Sequence, residues 1–147
     1  MNIGVVLVLF IMLLIVTSLF SNPSTGSNND PAFSVTDSRR FTLNNESYST
    51  LLLTSKSGDF ESPGPPRHLI IFPNRSYSFE VRWAPLTTFK AFATFEVRRF
   101  PFNDILDTEM FNGLGTISDP QEWRVFKSPP HISYVINNRT LTVTNPM

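Results

Sequence analysis

Eighteen consecutive residues near the start of the chain, Ile3 to Phe20 (IGVVLVLFIMLLIVTSLF), carry no charge, and only Gly4, Thr17 and Ser18 interrupt their aliphatic and aromatic side chains. Wound as a helix at 1.5 Å per residue, the run reaches about 27 Å, close to the roughly 30 Å hydrocarbon core of a bilayer. Lipid offers a backbone no hydrogen-bond partners, so a run this apolar must satisfy its own amides, and a helix does so. Residues 1–20 are therefore expected to form a transmembrane signal-anchor, with the lipid bilayer as its partner through Ile3–Phe20.

A secretory signal removed after export is the competing reading. Met1-Asn2 supplies no Lys or Arg, and the apolar core exceeds the roughly 7–15 residues of a signal peptide. Val16-Thr17-Ser18 is a poor cleavage site, and retention is favoured. The first basic residues, Arg39 and Arg40, stand too far from the run to set its orientation by charge. The placement of the following domain outside the cytoplasm, or on a virion surface, rests on the general habit of exported domains.

Behind the run, residues 21–31 (SNPSTGSNNDP) hold no apolar side chain and read as a flexible tether, since nothing in them offsets the entropy of ordering. Residues 32–147 are long enough for one domain with its own core. Twelve basic and twelve acidic residues, scattered along the chain, cancel to a net charge of zero, which gives no field to gather nucleic acid. The chain has no cysteine, which removes disulfides, thiolate metal sites and a cysteine nucleophile. Its fourteen Phe, two Trp and three Tyr supply the material for a core instead.

The periodicity of that domain is that of strands. Ser47–Ser55, His68–Phe72 and Ile132–Ile136 with Thr140–Thr144 read as strands, the last two joined by an Asn137-Asn138-Arg139 turn whose Asn residues tolerate positive φ. The clearest alternation runs through Tyr77, Phe79, Val81 and Trp83, and again through Phe89, Ala91, Ala93, Phe95 and Val97. These two strands are expected to pair as the central antiparallel hairpin. Gly58–Arg67 is a Pro- and Gly-rich loop. Pro101–Gly115 leaves the strand period, and Asn103-Asp104 are expected to cap a short helix through Ile105, Leu106, Met110 and Phe111. A second helical turn is expected from Ser118, with Pro120 at its first position and Trp123 on its buried side. About seven short strands with little helix predict an all-β fold, a small antiparallel β-sandwich or jelly-roll.

No motif in the chain assigns a catalytic residue, a cofactor or a metal. His68 and His131 each open a strand after a loop, with no carboxylate at ligand spacing in sequence, and read as ordinary strand-end residues. Asp104, Asp107 and Glu109 do not match the spacing of a calcium loop and are read as carboxylates favouring a helix start. Phe92 falls on the polar side of its strand, and Phe100 and Phe102 bracket Pro101 directly after it. The first reading of Phe100 and Phe102 is that they seal the edge of the core. The second is that all three aromatics form a binding patch for a partner, a lipid surface or a sugar. Asn45, Asn74 and Asn138 each open an N-x-S/T sequon at an expected turn or strand boundary and are candidate glycosylation sites.

An apolar anchor, a polar tether and a disulfide-free β domain together are similar in layout to small envelope proteins of large DNA viruses, without a shared motif. That likeness implies a non-enzymatic structural or interaction protein of a viral envelope, displayed at a membrane and engaging protein partners, with a homo-oligomer open to it through its edge strands. The alternative is a bacterial cell-envelope or secreted ligand-binding β-domain. A hydrolase built on a dispersed acidic pair ranks third, and it requires a cleft with two carboxylates.

Overall fold

The computed structural model describes residues 2–20, 37–114 and 119–147; of residues 14–20 it describes the backbone alone. The expected tether, residues 21–31, and Ser118 lie outside the described residues. The chain divides into two units, residues 1–33 and 34–147.

In the first unit the apolar run forms a helix, α1 (Ile3–Phe20). Its described side chains, to Leu13, are all exposed. Among the described residues no helix is long and apolar enough to cross a membrane. The expected span depends on residues 14–20, whose side chains fall outside the description.

The second unit is all β, with nine strands among the described residues: β1 (Asp37–Asn45), β2 (Thr50–Gly58), β3 (Ile70–Ile71), β4 (Arg75–Trp83), β5 (Phe89–Arg99), β6 (Phe102–Asn112), β7 (Gln121–Lys127), β8 (Ser133–Asn137) and β9 (Thr140–Thr144). They form a four-stranded sheet in the order β4-β1-β9-β8 and a five-stranded sheet in the order β3-β2-β5-β6-β7. Every pairing between these strands is antiparallel except β1 with β9, which run parallel in the register Leu43 opposite Leu141.

The inner faces of the two sheets share one core. Phe41 and Leu43 on β1, Phe79 and Val81 on β4, Leu141 and Val143 on β9 are buried against Leu51, Ala91, Phe95, Val97, Leu106, Met110 and Trp123 of the other sheet. Trp123 sits between the sheets, edge-on to Phe41 at 6.1 Å and to Phe79 at 5.8 Å, and its indole N–H donates to the carbonyl of Arg139 at 3.0 Å. Edge-to-face aromatic pairs of this kind add about 0.5–1.5 kcal/mol each beyond the area they bury.

Three sequence expectations fail here, each for a physical reason. First, β4 and β5 do not pair as a hairpin: they lie in different sheets, and Phe79 meets Phe95 across the core at 6.3 Å. Alternation specifies that one face of a strand is buried, not which strand lies beside it. Second, the segment expected to be helical is the 11-residue strand β6, with Leu106, Thr108, Met110 and Asn112 all buried on one face. Two of those four are polar, which hides the period in the sequence. The Thr108 hydroxyl donates to the Ala93 carbonyl at 2.8 Å and the Asn112 amide N–H donates to the Arg82 carbonyl at 2.9 Å, so each has an inward partner, although Asn112 Oδ1 has none among the described residues. Third, Trp123 lies on strand β7 rather than on a helical turn. The β8–β9 hairpin forms as expected, with Asn138 at a φ of 50° in its two-residue turn.

Gly58 ends β2 at a φ of 92°, and a Cβ there would stand 2.3 Å from the Lys90 carbonyl oxygen. Only glycine allows the chain to leave the sheet so close to β5.

Candidate interaction surface

Strands β5 and β6 are joined through Phe100-Pro101, with Arg99 opposite Phe102 at the last rung. At the tip Phe100 is 99% exposed and Phe102 is 54% exposed. Neither seals the core: Phe100 projects from the turn. Phe102 lies nearly parallel to the ring of His131, with centroids 5.6 Å apart. His131 Nδ1 stands 3.3 Å from Asp104 Oδ2, and its Nε2 is buried without a hydrogen-bond partner. Sequence spacing had given His131 no carboxylate neighbour. The strand period supplies one, because Phe102 and Asp104, two residues apart, share a face of β6.

On the other flank of the tip, β2 pairs with β5 so that Thr50 lies opposite Arg98. This brings the loop before β2 alongside. There Tyr48 is exposed, and the Arg99 guanidinium lies over its ring at 5.9 Å. The Arg98 guanidinium donates to Glu96 at 2.9 Å, and that hydrogen bond raises its already high pKa. Tyr48, Arg99, Phe100 and Phe102 thus form an aromatic tip with one cation that has no carboxylate bound to it among the described residues.

Asn45 anchors that flanking loop. It is 1% exposed, and its amide donates to the carbonyls of Ser49 at 2.8 Å and Ile71 at 3.0 Å. Its Oδ1 accepts from the Ser47 backbone N–H at 3.2 Å and the Ser47 hydroxyl at 2.7 Å. Both polar atoms of the Asn45 side chain are thus engaged within the fold. The contact from the Ser47 N–H to Asn45 Oδ1 closes an Asx turn. Asn74 and Asn138 are exposed, at φ values of 58° and 50°.

Phe92 does not join the tip. It lies on the outer face of the five-stranded sheet, 37% exposed, opposite Glu109 and eight residues, about 26 Å of strand, from Phe100. The three aromatics therefore do not make one patch. Beside Phe92, the Glu109 carboxylate is 5% exposed, 3.8 Å from Lys90 Nζ and 4.0 Å from Arg124. Arg124 stands 3.9 Å from the ring centre of Phe111. Asp107 accepts from the Thr94 hydroxyl at 2.9 Å, so the three acids expected at a helix start share no partner with one another. Among the described residues no group of three or more His, Asp or Glu is arranged to hold a metal ion.

His68 is exposed at a φ of 60° and lines an open cleft of about 410 Å³ with Lys56 and Arg67. Glu61 and Glu80 share a smaller cleft of about 140 Å³, but Glu80 is taken up by the Ser38 hydroxyl at 3.0 Å and Arg40 Nε at 2.9 Å. That volume is below the roughly 300 Å³ at which ligand sites begin.

No known protein family matches the chain, and neither does any curated protein or solved structure.

Proposed function

We propose that this is a non-catalytic, membrane-anchored interaction protein, with the apolar run Ile3–Phe20 as the anchor and the aromatic tip of the β5–β6 hairpin as the contact surface. The observation that carries the reading is Phe100. A phenylalanine left 99% exposed forgoes about 1.5–3 kcal/mol of burial, and it does so at the end of a paired, eleven-rung hairpin. Buried aromatic anchors entering a pocket on a partner are the usual centre of a protein interface, and Arg and Tyr beside them are the residue types most enriched there. The anchor rests on the sequence: eighteen uncharged residues are long enough to cross a bilayer with its backbone satisfied. The layout it shares with small viral envelope proteins makes a virion surface the leading setting, and a bacterial envelope or secreted binding domain the alternative.

A photoreactive phenylalanine analogue at position 100 of the full chain, in membranes of its natural source, tests the contact surface. A discrete protein adduct is expected there and not at Ser78, an exposed position on the other sheet. Equal labelling at both sites, or none at position 100, overturns the reading. Alkaline carbonate extraction of the same membranes tests the anchor separately: the chain stays in the pellet if the run is embedded and leaves with the supernatant if it is not.

A further inference from the structure

The two sheets have four edges, and three are protected. The β4 edge is covered by residues 59–61: Phe60 bridges to Val81, Glu61 N–H donates to the Glu80 carbonyl, and Arg82 N–H donates to the Asp59 carbonyl. The β3 edge is two residues long and is followed by Pro73. The β7 edge carries Glu122, Arg124 and Lys127. These are the standard devices against unwanted strand pairing. Among the described residues β8 (SYVIN) has none: it carries no charge and no proline, and all five of its residues are exposed.

The free backbone groups on β8 can be located from its neighbours. Arg139 and Val143 direct their carbonyls toward β1, where they accept from Thr42 N–H and Glu46 N–H, each at 2.8 Å. Odd-numbered residues of β9 therefore bond to β1, and the even-numbered ones, Thr140, Thr142 and Thr144, bond to β8. Their partners are Asn137, Val135 and Ser133. The N–H and C=O groups of Tyr134 and Ile136 must then point outward. Among the described residues no hydrogen bond from outside the sheet reaches either one.

The geometry points to a second copy of this chain as the occupant of that edge, paired antiparallel through β8 about a two-fold axis at Val135. The strand is complementary to itself in this register. Tyr134 faces Ile136 of the other copy and Ile136 faces its Tyr134, which uses all four outward groups in four hydrogen bonds. Val135 meets Val135 as a close, non-hydrogen-bonded pair, with Cα atoms about 4.5 Å apart. Neither β8 nor β9 carries a charge, so no like charges meet on these strands. The half-exposed side chains of Tyr134 and Ile136 gain neighbours on the core-facing side, and the two four-stranded sheets become one of eight strands. The contact is isologous and closes at two copies.

The absence of cysteine gives a direct test, because a single introduced thiol can only link to another chain. Val135→Cys in the full chain, purified in detergent micelles and mildly oxidised, is expected to form a disulfide-linked dimer, since facing Cα atoms at about 4.5 Å suit a disulfide. Thr142→Cys, one strand inward, is expected to link at least tenfold more slowly, because three strand spacings, about 14 Å, separate the two copies there. Adding Ile136→Pro to Val135→Cys removes an outward donor and is expected to slow linkage tenfold. Should that variant not fold, Val135→Lys keeps the backbone intact at a 61% exposed site and is expected to convert a sedimenting dimer to a monomer. Equal linkage of the two cysteine variants, as association through α1 or through another face would give, overturns the proposal. A monomeric wild-type chain also overturns it, and leaves the edge to a strand of some other protein.

Discussion

Two hairpins of the β domain turn through two residues each, and they are treated in opposite ways. The polar turn, Asn138-Arg139, is fastened. Its carbonyls accept from Trp123 N–H at 3.0 Å, from the Trp123 indole at 3.0 Å and from Thr42 N–H at 2.8 Å. The apolar turn, Phe100-Pro101, receives no hydrogen bond from outside its hairpin among the described residues, and its phenylalanine stands in solvent. Hydropathy alone would bury the second and free the first. The backbone reverses that order, because a turn is tied down through its carbonyls, whatever its side chains are. A fastened turn serves the core. An apolar turn whose phenylalanine is left in solvent contributes nothing to the core.

The contrast is broken most severely at Trp123. Trp123→Ala removes the ring between the sheets and one of the three hydrogen bonds that fasten the Asn138-Arg139 turn, the one from the indole. It is expected to cost about 3–5 kcal/mol in urea unfolding. Phe100→Ala at the other turn is expected to fall within about 0.5 kcal/mol of the native protein in the same measurement. A cost above 1.5 kcal/mol there would assign Phe100 to the core and end the comparison.

Asn45→Asp comes next. The isosteric carboxylate faces the Ser49 and Ile71 carbonyls where an amide now donates, and a loss of about 2–3 kcal/mol is expected, more than for Asn45→Ser. An unchanged melting temperature would show that the loop bearing Tyr48 is not held by this residue.

A smaller effect is expected at the fastened turn itself. Asn138→Ala places a Cβ-bearing residue with no side-chain compensation at a φ of 50° and is expected to cost about 1 kcal/mol, while Asn138→Gly stays near neutral. Equal melting temperatures for the two would mean the turn is set by its hydrogen bonds alone.

The smallest effect concerns pH. Burial raises the Tyr77 hydroxyl above its ordinary value of 10.0. The folded state then holds its proton more tightly than the unfolded chain, so this contribution is intact below pH 10 and is lost as pH rises through the folded value. Stability measured from pH 8 to 11.5 is expected to fall less steeply in Tyr77→Phe than in the native chain.

What could be read from the residues follows a simple division. The β8–β9 hairpin is local: its turn residues and both strands lie within twelve positions, and it appears where expected. The buried faces of β4 and β5 were equally legible, since alternation reports which side chains leave water. Their partners were not. β6 was lost because Thr108 and Asn112 occupy core positions on the strength of the Ala93 and Arg82 carbonyls, which come from 15 and 30 residues away. The burial of Asn45 has the same origin: its amide donates to the carbonyl of Ile71, 26 residues on, and nothing beside the sequon signals that contact. At the candidate surface the sequence singled out Phe100 and Phe102 but added Phe92, which the strand's length carries away from them. It missed Tyr48 and Arg99, which no local pattern connects to the tip.

By itself, then, the sequence determined the all-β character of the domain, the apolar face of most strands, the turn at Asn138 and the uncharged run from Ile3 to Phe20. These depend on side-chain chemistry and backbone preference within a few residues. Only the tertiary structure decided that β4 and β5 face each other instead of pairing, that β1 runs parallel to β9, and that Phe100 projects from the domain. It also decided that β8 is left as an open edge. Those outcomes turn on which distant backbone groups satisfy one another, and a hydrogen bond between segments leaves no mark in the period of either.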